Sequence, residues 1–298
     1  MLTTEKDLSA SLELVLDLHC DIGESPIWDA DTSTLTFIDQ TPGRVFRFDP
    51  GSGALSRFEV GHELGAAIPR IGGGFVFTSQ NGLLVVRKDG GPGSLLVAID
   101  EENADTRLND AKCDHVGRLW TGTFSRSFAR KASALYRVDT DLNLTTAVRE
   151  VSISNGIAWS PDGSRMYYAD TATRGVDVFD YNMATGDLSN RRRFAEIDRA
   201  DGIPDGMTID SAGHLWVALY LGGAIRCYDP DGTWVGTIQL PVVGVTSCAF
   251  GGPDLRDLYI TSAAHLAGRR ERPRSPVDGA LFRCRLETPG LPEPKFPH

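Results

Sequence analysis

The sequence predicts an all-β chain folded as a six-bladed β-propeller, with four antiparallel strands per blade and an N-terminal strand completing the last one. Three observations carry that prediction. A short frame recurs six times, in which a turn leads to an apolar residue and an aromatic: Thr34-Leu-Thr-Phe37, Gly74-Phe-Val-Phe77, Arg118-Leu-Trp120, Arg165-Met-Tyr167, His214-Leu-Trp216 and Asp257-Leu-Tyr259. The segments between frames alternate apolar and polar residues with period two, as strands with one buried face do. No stretch of 12 or more residues carries a helical apolar period free of Gly and Pro, which argues against a βαβ crossover.

Each element follows from the period. Taking the apolar residue of the frame as marker places the repeats at 35, 75, 119, 166, 215 and 258. The intervals of 40, 44, 47, 49 and 43 residues each suit one four-stranded meander with its turns. Gly175-Val-Asp-Val-Phe-Asp-Tyr181 and Ala224-Ile-Arg-Cys-Tyr-Asp229 read as strands, punctuated by Asp-Pro-Gly, Pro-Asp-Gly and Thr-Gly turns. The apolar strand Leu12-Glu-Leu-Val-Leu-Asp-Leu18 precedes the first full repeat and is expected beside Phe282 to Leu286, closing the ring. One domain over residues 1–298 accommodates all six repeats, with residues 1–10 a flexible lead-in.

Composition bounds the function. At 298 residues, 41% apolar and 23% charged, the chain can bury a sizeable core and is not disordered. Thirty basic against 40 acidic residues give a net charge of −10, which disfavours nucleic acid and anionic membranes as partners. Apolar runs are short, and Glu5, Lys6, Asp7, Glu13 and Asp17 interrupt the first 18 residues, so neither a transmembrane helix nor a secretory signal is expected. Five cysteines without C-x-x-C spacing read as reduced, mostly buried thiols. A cytoplasmic monomer or weak homodimer acting on a small molecule is the expectation.

Counting back 10 or 11 residues from each marker reaches Glu24, Asn109, Asn155, Asp205 and Ser247, with Ala66 or Ala67 in the second repeat. The first strand of every propeller blade lines the central channel, so these positions converge on one ring at one mouth. Two carboxylates and two carboxamides, with Asp110 adjacent, suit a hard divalent cation such as Ca²⁺, Mg²⁺ or Mn²⁺. Without His or Cys, Zn²⁺ or Fe²⁺ is a less natural occupant. Taken singly, Asn155-Gly156 and Asp205-Gly206 are ordinary turn pairs. Four polar groups at matching offsets are harder to explain as turns, because uncompensated carboxylates in a channel repel one another.

At these residues the chain resembles the SMP-30/gluconolactonase/luciferin-regenerating-enzyme-like family, which includes regucalcin. The matching stretches are Gly23-Glu-Ser-Pro-Ile-Trp28, Arg107-Leu-Asn-Asp-Ala-Lys-Cys-Asp114 leading to Gly117-Arg-Leu-Trp-Thr-Gly-Thr123, Ser154-Asn-Gly-Ile-Ala-Trp159, Asn190-Arg-Arg192, Pro204-Asp-Gly-Met207 with Gly213-His-Leu-Trp216, and Thr246-Ser-Cys-Ala-Phe-Gly-Gly252. The resemblance implies a six-bladed propeller holding one divalent cation through Glu24, Asn155 and Asp205, with Arg107 and Asn109 on the substrate. It further implies hydrolysis of sugar-acid lactones to aldonic acids, the cation on the lactone carbonyl oxygen and Asp205 as general base. No covalent nucleophile is required, and no Gly-x-Ser-x-Gly elbow is present. His19, His62, His115, His214 and His298 read as surface or strand residues.

Two segments depart from the family pattern. After Gly122-Thr123 many relatives carry Met and an acidic residue that reaches substrate hydroxyls, whereas this chain reads Phe124-Ser-Arg-Ser-Phe-Ala-Arg-Lys131. After Ala263 relatives often carry Arg, a charged residue and Gly; here Ala264-His-Leu266 is followed by Arg269-Arg-Glu-Arg-Pro-Arg274. Both segments join the second strand of a blade to the third and should overhang the channel mouth. Residues 124–133 and 269–274 each carry a net charge of +3, which nominates Arg126 and Arg269 to hold an anionic group on the lactone. Solvated loop charge is the simpler alternative, and Arg191–Arg193 reads as a solvated strand edge. Two other functions stay open: a phosphotriester or aryl-ester hydrolase on the same scaffold, and a non-catalytic calcium-binding regulatory propeller.

Overall fold

Six antiparallel sheets follow one another along the chain as the blades of a propeller. The structure, a computed structural model, describes residues 5–87, 90–91, 93–266 and 275–298. From the channel outward, blade 1 comprises Gly23–Asp29, Thr34–Asp39, Arg44–Asp49 and Ala54–Glu59. Blade 2 comprises Ala67–Pro69, Phe75–Thr78, Gly82–Val86 and Ser94–Ala98, and blade 3 Thr106–Cys113, Leu119–Ser125, Ser133–Val138 and Leu144–Val151. Blade 4 is built from Ser154–Trp159, Arg165–Asp170, Gly175–Asn182 and Asp187–Glu196, and blade 5 from Ile203–Ile209, Leu215–Tyr220, Ala224–Tyr228 and Trp234–Gln239. Blade 6 contributes Val245–Gly251, Asp257–Ser262 and Leu281–Arg285, and takes its outer strand, Leu12–Leu16, from the other end of the chain.

That closure is in the expected place: Leu12 pairs with Cys284, Glu13 with Arg283 and Leu14 with Phe282. Ahead of it, where the sequence reading has a flexible lead-in, Lys6–Asp7 add a short parallel strand to the outside of blade 5. The apolar core lies between neighbouring blades rather than at the centre. Ile225 and Ile238 of blade 5, for example, share one cluster with Phe250 and Phe282 of blade 6. Five frame markers, Leu35, Leu119, Met166, Leu215 and Leu258, are wholly buried in the second strands. Phe75 of blade 2 is only half-buried, and its neighbour Val76 fills the corresponding position.

The turns entering the second strands are held by buried aspartates. Asp114 accepts from the Arg118 guanidinium (3.2 Å), the Trp120 indole (3.4 Å) and the Tyr181 hydroxyl, and Asp210 accepts from Trp216 (3.2 Å) while its carboxylate contacts the His214 ring (3.0 Å). His214, read from the sequence as a surface or strand residue, thus helps to fix the turn into the second strand of blade 5. All five cysteines are buried and unpaired. Among the described residues no helix is long and apolar enough to cross a membrane.

The last ten residues do something the period does not foretell, running across the channel mouth opposite the polar ring. Gly290 is tied to Leu255 (2.7 Å), Phe296 to Pro69 and Ile71 (2.8 Å each), and Lys295 to Asp31 (2.6 Å). Phe296 is fully buried there.

Candidate active site

The polar ring is made by a repeated irregularity of the innermost strands. In blade 1, Glu24 pairs with Ile38 and Ile27 with Thr36, so three steps on the inner strand face two on its partner. The same one-residue bulge falls between Leu108 and Ala111, Ser154 and Ile157, Pro204 and Met207, and Val245 and Ser247. A bulge bends the strand and re-aims a side chain out of the alternation. Thus Asn109, Asn155 and Asp205 sit within bulges and Glu24 at the edge of one. Blade 2 pairs regularly through Ala67, Ile68 and Pro69, and supplies no polar group.

The Asn-Gly and Asp-Gly pairs are accordingly bulges inside strands, not turns. Glycine is required by close approach: a Cβ on Gly156 would lie 2.5 Å from the Asp205 carbonyl oxygen, and one on Gly206 would lie 2.2 Å from Ser247 Oγ. Neighbouring inner strands touch at the ring, which is why residues from different blades meet there.

Hydrogen bonding fixes the amides. Asn109 Nδ2 donates to the Ser154 carbonyl and to Asn155 Oδ1, both at 2.8 Å, and Asn155 Nδ2 donates to Thr171 Oγ1 at 2.8 Å. Glu24 is buried, and its Oε2 accepts from the Ser25 amide at 2.9 Å. Asp205 is half-buried, and among the described residues nothing donates a hydrogen bond to its carboxylate.

Charge is not balanced in this ring. Burial, then the proximity of Asp205 and Asp110, push the Glu24 carboxyl well above its ordinary range, and Asp205 is raised by burial and Asp110. Asp110, on the far side of the ring, is pushed up to about 6 chiefly by burial. Lys112 partly offsets that carboxylate, but it is itself ion-paired with Glu293 of the C-terminal segment at 3.2 Å. An oxygen-only donor set with surplus negative charge and an unpartnered carboxylate fits a hard divalent cation. Among the described residues no three His, Cys, Asp or Glu side chains form a metal cluster. The oxygen donors that face this ring for a cation are the Glu24 and Asp205 carboxylates and the Asn155 amide oxygen.

Above the ring a cleft opens to solvent. Arg107 reaches it buried, with Nη2 donating to Gln40 Oε1 at 3.0 Å and Nε ion-paired with Glu63 Oε1 at 3.1 Å. Burial lowers its guanidinium pKa to about 10. The same Glu63 takes Arg126 through its other oxygen at 2.7 Å. The cleft is lined by Glu24, Arg107, Asn109, Asn155 and Asp205 on its floor, and by Phe124 and Phe128 on one wall.

Five of the seven residues nominated by sequence thus converge. Arg126 lies outside the cleft lining, with its guanidinium on Glu63, and Arg269 falls outside the described residues. In the same rim segment Lys131 pairs with Glu150 at 3.2 Å. The run Arg191–Arg193 lies on the outer strand of blade 4, where Arg191 and Arg193 both pair with Asp177. Sequence reasoning missed Gln40, Glu63 and Thr171. Gln40 and Thr171 directly follow the second strands of blades 1 and 4, so the repeat that aligned the inner strands could have aligned these positions too.

Comparisons with known proteins agree over nearly the whole chain. The family model described as SMP-30/Gluconolactonase/LRE-like region matches residues 22–264. Regucalcin of Xenopus laevis is 36% identical over 281 residues, covering 92% of this chain and 94% of that protein. Pentonolactonase XacC of Haloferax volcanii is 37% identical over 289 residues, covering 94% and 96%. Among solved structures, a calcium-binding protein, regucalcin, from Agrobacterium tumefaciens superposes with a TM-score of 0.89 at 25% identity, covering 95% of this chain and 96% of that one.

Proposed function

The chain belongs to the SMP-30/gluconolactonase/LRE-like family, and from that footing we propose that it hydrolyses a sugar lactone to the open-chain sugar acid, with one divalent cation held by Glu24, Asn155 and Asp205. The observation that carries this reading is the ring of oxygen donors, Glu24 and Asn155 buried and Asp205 half-buried, with surplus negative charge at the floor of an open cleft. A relative named as a pentonolactonase and a structural neighbour described as calcium-binding support it. When bound, the cation would stabilise the negative charge that builds on oxygen as the ring ester opens.

The chain's own groups supply the rest. Asp205, which takes no hydrogen bond among the described residues, accepts the proton of the attacking water. Glu24 and Asn155 fix the site, with Asn155 oriented by Asn109 and Thr171. Arg107 and Asn109, at the floor of the cleft, orient the lactone hydroxyls. Arg126 and Arg269 are our candidates for meeting an anionic substituent; for Arg126 this requires exchanging its Glu63 contact for the substrate.

The test is lactone opening, measured above a spontaneous-hydrolysis blank, by wild type and Asp205→Ala. Loss of the enzymatic rate in the variant is expected. An unchanged rate would refute the assigned base, and tight cation binding with no acceleration by wild type would favour the non-catalytic calcium-binding reading.

A further inference from the structure

The cleft has two chemically different parts, and the second is unexplained by hydrolysis alone. Its floor is polar, but its walls carry Ile22, Phe124, Phe128, Ile153, Ile203 and Tyr220. Phe124 pairs across blade 3 with Arg107, whose guanidinium carbon sits 4.6 Å from the Phe124 ring centroid. Phe128 packs against Phe124 with ring centroids 6.0 Å apart and remains 59% exposed.

Phe128 is not part of the buried core. It adopts a left-handed backbone with φ of 56°, unfavourable for a bulky residue, in a turn closed by its own amide on the Ser125 carbonyl at 2.8 Å. Asp105 secures that turn, accepting from the Ser127 amide at 3.1 Å and the Ser127 hydroxyl at 2.9 Å. A braced turn therefore presents an aromatic ring to the cleft instead of burying it.

We propose that Phe124 and Phe128 form a specificity wall that selects sugar lactones whose end remote from the ester is deoxygenated or alkyl, over fully hydroxylated ones. This rests on the lactonase reading above and narrows its substrate class. A hydroxyl pressed against this wall finds no partner on either phenyl ring and loses its water. A methyl group in its place gains apolar contact. One such group changes selectivity by roughly 10- to 100-fold in a hydrophobic pocket.

A matched pair isolates the effect: D-galactono-1,4-lactone and its 6-deoxy analogue differ by one hydroxyl. With wild type, kcat/KM is expected to favour the deoxy lactone by about 10-fold or more. Phe128→Ser should bring that ratio close to unity, and Phe128→Leu should retain most of it. Phe128 packs outside the core, so both variants are expected to fold; circular dichroism checks this. Hydrolysis of both lactones with no preference, or a preference that Phe128→Ser leaves intact, overturns the wall while leaving the lactonase reading standing. Hydrolysis of neither, with another sugar lactone opened, likewise overturns the wall and leaves the lactonase reading standing.

Discussion

Asn155 presents its amide oxygen to Asn109 and its amide nitrogen to Thr171, and the reverse orientation is forbidden. The Thr171 hydroxyl spends its one proton on the Pro204 carbonyl at 2.8 Å, so toward Asn155 it can only accept. The nitrogen must face Thr171, which leaves Oδ1 as the side available to a cation. Three blades take part in this arrangement: Asn109 belongs to blade 3, Asn155 and Thr171 to blade 4, and Pro204 to blade 5.

Thr171→Val is therefore the sharpest test of how the ligand amide is held. It keeps the shape, removes the acceptor and lets the Asn155 amide turn over. Cation affinity is expected to fall about 10- to 100-fold, as for other partners that orient metal ligands. Isothermal titration calorimetry reads the affinity and thermal unfolding in EDTA reads the fold. Unchanged affinity would show that the threonine does not orient the ligand.

The cation-free protein should lose stability as pH rises. Glu24, Asp205 and Asp110 hold their protons more tightly folded than unfolded, because burial raises all three. Their contribution is fully present below the unfolded carboxyl range, about pH 4, and is lost as pH rises through the raised values, about 6 for Asp110. Arg107 and Lys112 oppose the trend only in part, and Glu293 adds to it. In EDTA, Tm is expected to be lower at pH 7 than at pH 5, with Glu24→Gln narrowing the gap. Saturating divalent cation should restore Tm at pH 7. A cation-free Tm that rises steadily over this interval would contradict the charge assignment.

Glu63 governs how much positive charge the cleft offers. It pairs with Arg107 at 3.1 Å and with Arg126 at 2.7 Å. In Glu63→Gln both guanidinium groups lose their carboxylate counter-charge, while Arg107 keeps its bond to Gln40, and kcat/KM for lactones bearing a carboxylate should rise severalfold relative to neutral ones. Because Arg126 is partly exposed, the gain should shrink in high salt. A ratio unmoved by Glu63→Gln and by Arg126→Ala would assign Arg126 to surface solvation alone.

The C-terminal segment should act as a structural plug. Phe296 is completely buried between blades, joined on both sides by backbone hydrogen bonds to Pro69 and Ile71. Phe296→Ala is expected to destabilise the protein by about 3–5 kcal/mol, measured by urea unfolding. A loss below about 1 kcal/mol would mean that the segment is only loosely seated.

The propeller was legible because its period is written twice: in the buried residue of each second strand, such as Leu119 or Leu215, and in alternation along the strands. The ring positions were legible because the bulges recur at nearly one offset, so Asn109, Asn155 and Asp205 align although no local pattern joins them. Gln40 and Thr171 follow the second strands at matching positions and were within reach of the repeat; the rest of what escaped has no repeat partner. The C-terminal plug and Lys6–Asp7 pair with distant strands through backbone groups, which leave no signature in side chains. Glu63 and Phe128 lie in loops whose placement depends on contacts such as Asp105 with Ser127. The positive charge of the rim is likewise offset by distant residues, Glu63 on Arg126 and Glu150 on Lys131.

If the oxygen ring of Glu24, Asn155 and Asp205 works through a bound divalent cation, lactone opening must depend on that ion. The most direct measurement is the rate of lactone opening above the spontaneous rate, taken on EDTA-dialysed protein before and after adding Ca²⁺, Mg²⁺ or Mn²⁺. The expected result is loss of the enzymatic rate in EDTA and its recovery with at least one of these ions. A full rate retained without any cation would show that the ring works without a bound ion.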